Sequence, residues 1–255
     1  MFIQNNERFE MVVKSNEMIQ KSRFNLTTNQ QKVILYLISK LKYTDEEFTE
    51  YQINIRDFCK VCGIDSNGGK AYAELKESIK QIADKSMWIE KEDGAETLVR
   101  WIEKPTIYKN EGYITIKLDN DLKPYLLNLK ERYTQYELIY TLQMKSKYSI
   151  RLYELLKSRQ YNKLKSYTVK YSIDELKKIL DAQNYTAFKD FRRRVIEKAV
   201  EEINNYSDIN IEYTAIKSGK AVKEIEIYIE TKEIVQRLTT TADIERKLDN
   251  GKDNK

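Results

Sequence analysis

The chain has 255 residues, with 45 Lys+Arg against 40 Asp+Glu, seven Gly, two Pro and no His. That length suits two compact domains, and so little Gly and Pro excludes collagen-like repeats and Pro-rich linkers in favour of helix and strand. Without imidazole, Ser-His-Asp hydrolases, Cys-His proteases, zinc hydrolases and His-ligated nucleases that nick DNA with a tyrosine are excluded as classes.

In chain order, Thr27 and Thr28 precede Gln30 and Gln31 in capping-box spacing and open an amphipathic helix to about residue 42. Its apolar stripe is Ile34, Leu37, Ile38 and Leu41, at i, i+3, i+4 and i+7. A β-prone piece at 51–55 leads to a short helix over 56–62 that Gly63 can end. Cys59 and Cys62 on that helix form a lone C-x-x-C, half of a four-ligand zinc site, and read as two small apolar residues. After the turn SNGG, a helix over 70–85 buries Tyr72, Leu75, Ile79 and Ile82. The β-prone runs 87–90, 97–103, 106–108 and 113–118 follow, separated by the turn signals EDG and NEG.

The second half repeats this order. Thr134 with Glu137 reads as a capping box leading into a helix over 135–144, followed by a long helix over 146–161. Residues 167–171 are β-prone, and Ser172 with Glu175 caps a short helix to about Leu180. A helix over 187–204 then buries Phe188, Phe191, Val195, Ala199 and Ile203. Alternation at Ile209, Ile211, Tyr213 and Ala215 predicts a strand, KSGKA turns the chain, and Ile225, Ile227 and Ile229 alternate on the return. A two-helix unit followed by a β-hairpin, present twice and matching element for element, predicts an α+β fold of tandem winged-helix domains. The expected division is 1–128 for self-association and secondary DNA contacts, 129–231 for the main DNA recognition, and a charged, frayed tail over 232–255 without periodicity after Leu238.

Charge separates the two units. Residues 1–125 carry 19 basic and 20 acidic side chains, and residues 126–255 carry 26 and 20. Within 140–170, Lys145, Lys147, Arg151, Lys157, Arg159, Lys163, Lys165 and Lys170 face one acid, Glu154, with Tyr148, Tyr153, Tyr161 and Tyr167 interleaved. Lys145, Lys147 and Arg151 are taken from this run as candidate phosphate contacts. Tyrosine, at 19 residues, otherwise reads as amphipathic packing.

At 100° per residue, the helix over 187–204 turns Asp190, Arg193, Arg194, Glu197 and Glu201 outward, with Lys189 on a flank and Arg192 close to the apolar side. Its basic residues lie in the N-terminal half, against the preference of the helix dipole, which suits a face turned to phosphates and guanine edges. Lys217, Lys220 and Lys223 make a basic hairpin tip. The matching helix of the first unit offers Lys70, Lys76 and Lys80 to the backbone, but with Glu74 and Glu77 beside them and an acidic hairpin segment, KEDGAE.

SNEMIQKSRFNLTTNQQKVILYLISKL, KYSIRLYELLKS, and FKDFRRRVIEKAVEEIN with its IEY…KSGKAVKEIEIYI hairpin resemble the iteron-binding replication initiators of theta-replicating plasmids, over about residues 10–230. The resemblance implies two winged-helix domains, with the FRRR-type helix in the major groove of the repeated origin sequence and the first domain at the dimer interface. By position it implicates Lys189, Arg192, Arg193 and Arg194, with Lys217 and Lys220 of the wing. It further implies that monomers bind direct repeats and open an AT-rich region, that dimers bind an operator inverted repeat and repress their own promoter, and that host helicase, primase and initiator proteins are partners.

Such a protein needs no cofactor, metal or small-molecule substrate. No stretch approaches 18 apolar residues and MFIQNNERFEMVVK has no leader pattern, so the expectation is a soluble cytoplasmic protein without a membrane partner. A second hypothesis is a dedicated winged-helix transcriptional regulator without origin function. A third, an enzyme such as a primase or nuclease, rests on Asp119 and Asp121 in IKLDNDL, residues that equally serve as turn and capping groups. No G-x-x-x-x-G-K-[ST] is present, and Gly68-Gly69-Lys70 reads as a helix-entry turn.

Overall fold

A 3₁₀ turn (Asn6–Phe9) leads into the first strand, β1 (Met11–Ser15), whose last residue accepts the Met18 N–H on Ser15 Oγ and so opens α1 (Asn16–Lys21). The computed structural model describes residues 6–63, 69–91, 93–108, 111–161 and 164–250; Lys163, Lys70 beyond its backbone, and parts of the turns SNGG, EDG and NEG lie outside them. After β2 (Ser22–Arg23), α2 (Thr28–Ser39) opens on a complete capping box: Gln30 N–H donates to Thr27 Oγ1, and Thr27 N–H donates to Gln30 Oε1. β3 (Tyr51–Asn54) ends in Asn54, whose Oδ1 accepts the first amides of α3 (Ile55–Cys62). Gly63, at φ 64°, closes α3 by donating to Cys59 and Lys60 carbonyls. Cys59 and Cys62 are buried in the core, where burial pushes the Cys62 thiol up to about 12.

α4 (Gly69–Ala83) lies across α2 and buries Leu75, Ile79 and Ile82. Four strands follow: β4 (Ser86–Glu90), β5 (Glu96–Arg100), β6 (Thr106–Tyr108) and β7 (Tyr113–Ile116). They form two antiparallel sheets of order β2-β4-β5 and β3-β7-β6. The two halves therefore do not match strand for strand: β3 pairs with the second hairpin, while the first hairpin pairs with β2. α5 (Lys123–Leu126) closes the unit.

The capping-box reading of Thr134 and Glu137 is overturned. Residues Tyr133–Glu137 form β8, antiparallel to β1, with Thr134 and Tyr136 buried and Tyr133 and Gln135 out. This period-2 alternation outweighs the local cap signal because a partner strand some 120 residues away supplies the ladder. Helix is confined to α6 (Ile139–Leu142) and to α7 (Lys147–Lys157), capped by Ser146 Oγ. β9 (Ser166–Ser172) leads through the Ser172 cap into α8 (Ile173–Ile179).

The next helix is interrupted. α9 (Phe188–Phe191) passes through a π turn (Arg192–Ile196) into α10 (Glu197–Tyr206), with Glu197 N–H donating to Arg192 O, five residues back. β10 (Ile209–Ser218) and β11 (Ala221–Thr231) form the long hairpin, and the sheet order is β10-β11-β9. The two units are thus two winged-helix domains.

The tail is not frayed through 250. α11 (Ile234–Asn250) buries Ile244 and Leu248, one turn apart, and its end lies against α3 of the first unit. Arg8 fastens it there: Nε donates to Val61 O at 3.1 Å, while one terminal nitrogen reaches Lys60 O at 2.8 Å and Asp249 Oδ1 at 3.1 Å. Polar groups also cross between the units. Lys14 and Glu154 form a buried ion pair, with Tyr136 Oη donating to Glu154 Oε1 at 2.6 Å. Lys32 Nζ donates to Leu142 O at 2.6 Å, Gln31 Nε2 to Lys147 O at 3.1 Å and Thr28 Oγ1 to Lys145 O at 2.8 Å. Among the described residues, no helix is long and apolar enough to cross a membrane.

Candidate nucleic-acid interface

The inner face of the interrupted helix is set by Phe191, Val195, Ile196, Ala199 and Ile203, all buried against α7 and the hairpin. A strict 100° wheel places Arg192 near that face. The i→i+5 bond at Arg192 adds a residue to the turn and shifts the phase, so that Lys189, Arg192, Arg193 and Arg194 are all exposed. Two of the arginines are tethered by acids of their own helix. Arg192 forms an ion pair with Glu197, Nε lying 3.1 Å from Oε1, and an Arg193 terminal nitrogen lies 3.5 Å from Asp190 Oδ1. Arg194 makes no hydrogen bond or ion pair among the described residues.

The other end of this helix is structural. Glu202 is buried, and its Oε2 accepts the N–H groups of both Lys145 and Ser146 at 3.1 Å, capping α7 with a carboxylate. This accounts for Glu202, while Glu201 pairs with Lys198 at 2.9 Å and Glu197 with Arg192 on the exposed side.

At the hairpin tip the chain reverses through Gly219 at φ 63°, and the strand register shifts between Ile216 and Lys217. Lys217, Lys220 and Lys223 are all exposed there. With Lys189 and the three arginines, they place seven cations on one helix and the hairpin that packs on it, in side chains long enough to follow a phosphate backbone.

The basic run of α7 divides differently. Lys145 is exposed. Lys147 is half-buried, 2.8 Å from Asp181 Oδ2 and 3.3 Å from Asn25 Oδ1, and so tied into the seam between the units. Arg151 must be removed from the surface set. It is buried at 3% exposure, donates to Ser22 O at 2.7 Å and Ser22 Oγ at 3.0 Å, and lies over the Phe24 ring. Burial lowers its pKa to about 10. Its neighbours at i±3 and i±4 on α7 are Lys147, Tyr148, Glu154 and Leu155, so no apolar stripe in the sequence marks it as buried; α7 is packed on nearly every side.

In the first unit, Lys76 is half-buried and Lys80 exposed on α4. The first hairpin carries Asp93 and Glu96 near its tip, Glu96 paired with Arg23 at 2.8 Å. Asp119 Oδ1 accepts the Asp121 N–H at 3.0 Å and caps a 3₁₀ turn, so the Asp119 carboxylate is engaged with backbone.

Comparison with known proteins adds an independent line. Residues 11–157 match the family model described as Initiator Replication protein, WH1, and residues 172–229 that described as Initiator Rep protein, WH2. A curated relative, the PI protein of Escherichia coli, is 29% identical over 144 residues, covering 50% of this chain and 46% of its own length. A second, a replication initiation protein of Escherichia coli, is 26% identical over 214 residues, covering 79% and 64%. The chain thus matches about half to two thirds of the length of these relatives. Among solved structures, a crystal structure of Pi initiator protein in complex with iteron DNA superposes with a TM-score of 0.73 at 22% identity, over 89% of this chain and 99% of that one; this likeness is one of fold.

Proposed function

The chain belongs to the initiator replication protein family, and from that premise we propose that it is a plasmid replication initiator that binds the direct repeats of its origin as double-stranded DNA. The α9–α10 helix enters a major groove with Lys189, Arg192, Arg193 and Arg194 toward phosphates and base edges, while Lys217 and Lys220 hold the flanking backbone. The observation that carries this is the π turn, which exposes three consecutive arginines on a helix whose other face is fully packed. Lys145 adds a phosphate contact beside the helix, and Lys76 and Lys70 of α4 supply weaker ones from the first unit. Lys147 belongs to this set only as a residue that aligns the two units.

On the same reading, a dimer binds an inverted repeat at the promoter of its own gene, and the DNA-bound monomer opens neighbouring AT-rich sequence and recruits host helicase, primase and initiator proteins. Electrophoretic mobility shifts on DNA flanking the gene test the interface. The Arg193→Ala, Arg194→Ala double variant is expected to weaken binding by at least about tenfold, since one bidentate arginine contact is worth about 1–3 kcal/mol; unchanged shifts would overturn the assignment of this helix. Maintenance of a plasmid carrying only the gene and its neighbouring repeats separates an initiator from a regulator, which would bind the repeats without sustaining replication.

A further inference from the structure

Resting on the placement of the α9–α10 helix in a major groove, we infer that Glu197 is a positioning residue: together with Tyr213 of the wing it holds Arg192 so that the outer edge of its guanidinium reads a guanine. Five residues apart in an α-helix, Arg192 and Glu197 would point about 140° away from each other. In the i→i+5 register of the π turn they are separated by roughly one full turn and lie on one face, which is how the carboxylate comes to meet the arginine.

The atoms engaged matter. Arg192 uses Nε, its inner donor, toward Glu197 Oε1 at 3.1 Å. Its two terminal nitrogens remain as an end-on fork, the donor pair that matches guanine O6 and N7. Tyr213 Oη lies 3.5 Å from the same Glu197 oxygen. Tyr213 is half-buried on β10 in register with Ile227, so the carboxylate is held from the hairpin as well as from the helix. Arg193 differs, since a terminal nitrogen faces Asp190 and its fork is occupied until that contact is released. Arg194 has no such tether among the described residues. Of the three adjacent arginines, Arg192 is the one whose inner nitrogen is paired while its terminal fork has no ion pair or hydrogen bond among the described residues, and preorganised donors discriminate where mobile ones only attract.

The test uses the full chain and duplexes it recovers from a random-sequence library, resynthesised with each base pair changed in turn, beside a random duplex of the same length. Wild type is expected to lose roughly 5- to 150-fold in affinity when the guanine read by Arg192 is replaced. Glu197→Ala is expected to reduce that penalty to less than about threefold while binding the random duplex more tightly, because a carboxylate has been removed from a face turned to phosphates. Glu197→Gln keeps the shape of the side chain but removes the charge of the ion pair and is expected to retain only part of the discrimination, as is Tyr213→Phe, which removes the hydroxyl beside the same oxygen. Arg192→Ala should give the same base profile with or without Glu197→Ala, as expected for residues acting through one contact. A purely structural role would instead weaken selected and random duplexes together and lower the thermal midpoint, which circular dichroism follows; that result, or a wild-type base profile in Glu197→Ala, would overturn the inference. If the Arg193→Ala, Arg194→Ala variant binds normally, the helix assignment itself fails; if it loses binding while Glu197→Ala keeps the wild-type profile, only the buttress does.

Discussion

Arg151 shows why a count of basic residues does not give an interface. Its charge belongs to a run of eight cations, yet its guanidinium lies between the units on Ser22 and over Phe24. Truncating it leaves the Ser22 carbonyl without this donor and removes a cation from beside Glu154. Arg151→Ala is therefore expected to lower unfolding free energy by about 3 kcal/mol, measured by urea denaturation, while the salt dependence of DNA binding by the folded protein stays as in wild type. Lys217→Ala is expected to do the reverse: stability unchanged, and a log–log salt slope smaller by about 1. The two charges look alike in the sequence. What distinguishes them is the surroundings that folding supplies, since Arg151 sits on a helix packed on nearly every side and Lys217 lies beside a glycine turn.

Elements were legible wherever a local signal fixed them. The caps at Thr27 and Ser172, the αL glycine after α3 and the alternation of the long hairpin all appear where their residue types demand. Signals failed where the deciding partner was remote. Nothing near Thr134 reveals β1, and nothing after Leu238 reveals that Ile244 and Leu248 will find the end of α3. The π turn was hidden for another reason: a wheel assumes constant phase, and an inserted residue breaks it. The docking of α11 can be tested at Gly63, where an added Cβ would lie 2.6 Å from Leu248 Cδ2 and 3.1 Å from its Cα, at a backbone φ of 64°. Gly63→Ala is expected to cost about 1–3 kcal/mol through strain and overpacking together. Hydrogen exchange should then show faster exchange of α11 amides, with α9–α10 and the hairpin protected as before.

At the scale of the molecule, the absent histidine governs pH response as well as chemistry. No side chain has an ordinary pKa between 6 and 8, so stability is expected to be flat across that range. Above it, Tyr136 and Tyr153 decide: burial, with Glu154 and Asp208 alongside, holds both hydroxyls well above the ordinary tyrosine range. A raised folded pKa means the unfolded chain loses these protons first, near pH 10, so their stabilisation is complete below that pH and declines above it. Lys14, Lys32, Lys85 and Lys232, lowered by burial, act in the opposite sense, but burial also raises Tyr36, Tyr140, Tyr148 and Tyr167 beside the first two tyrosines. The denaturation midpoint should fall above about pH 10, and a profile rising there would contradict the burial of these tyrosines. The same seam sets cooperativity. β1 belongs to the first unit by sequence but pairs with β8, and among the described residues its Lys14 is ion-paired with Glu154 alone, on α7 of the second. A buried ion pair adds little net stability compared with an apolar pair, yet losing one partner strands the other at a cost of about 3–5 kcal/mol. Because that cost falls on contacts shared by both units, Lys14→Met is expected to lower the thermal midpoint of the whole chain while scanning calorimetry still shows one transition. Two separated transitions in wild type, or a loss confined to one of them in Lys14→Met, would mean that the units fold independently and that the seam does not couple them.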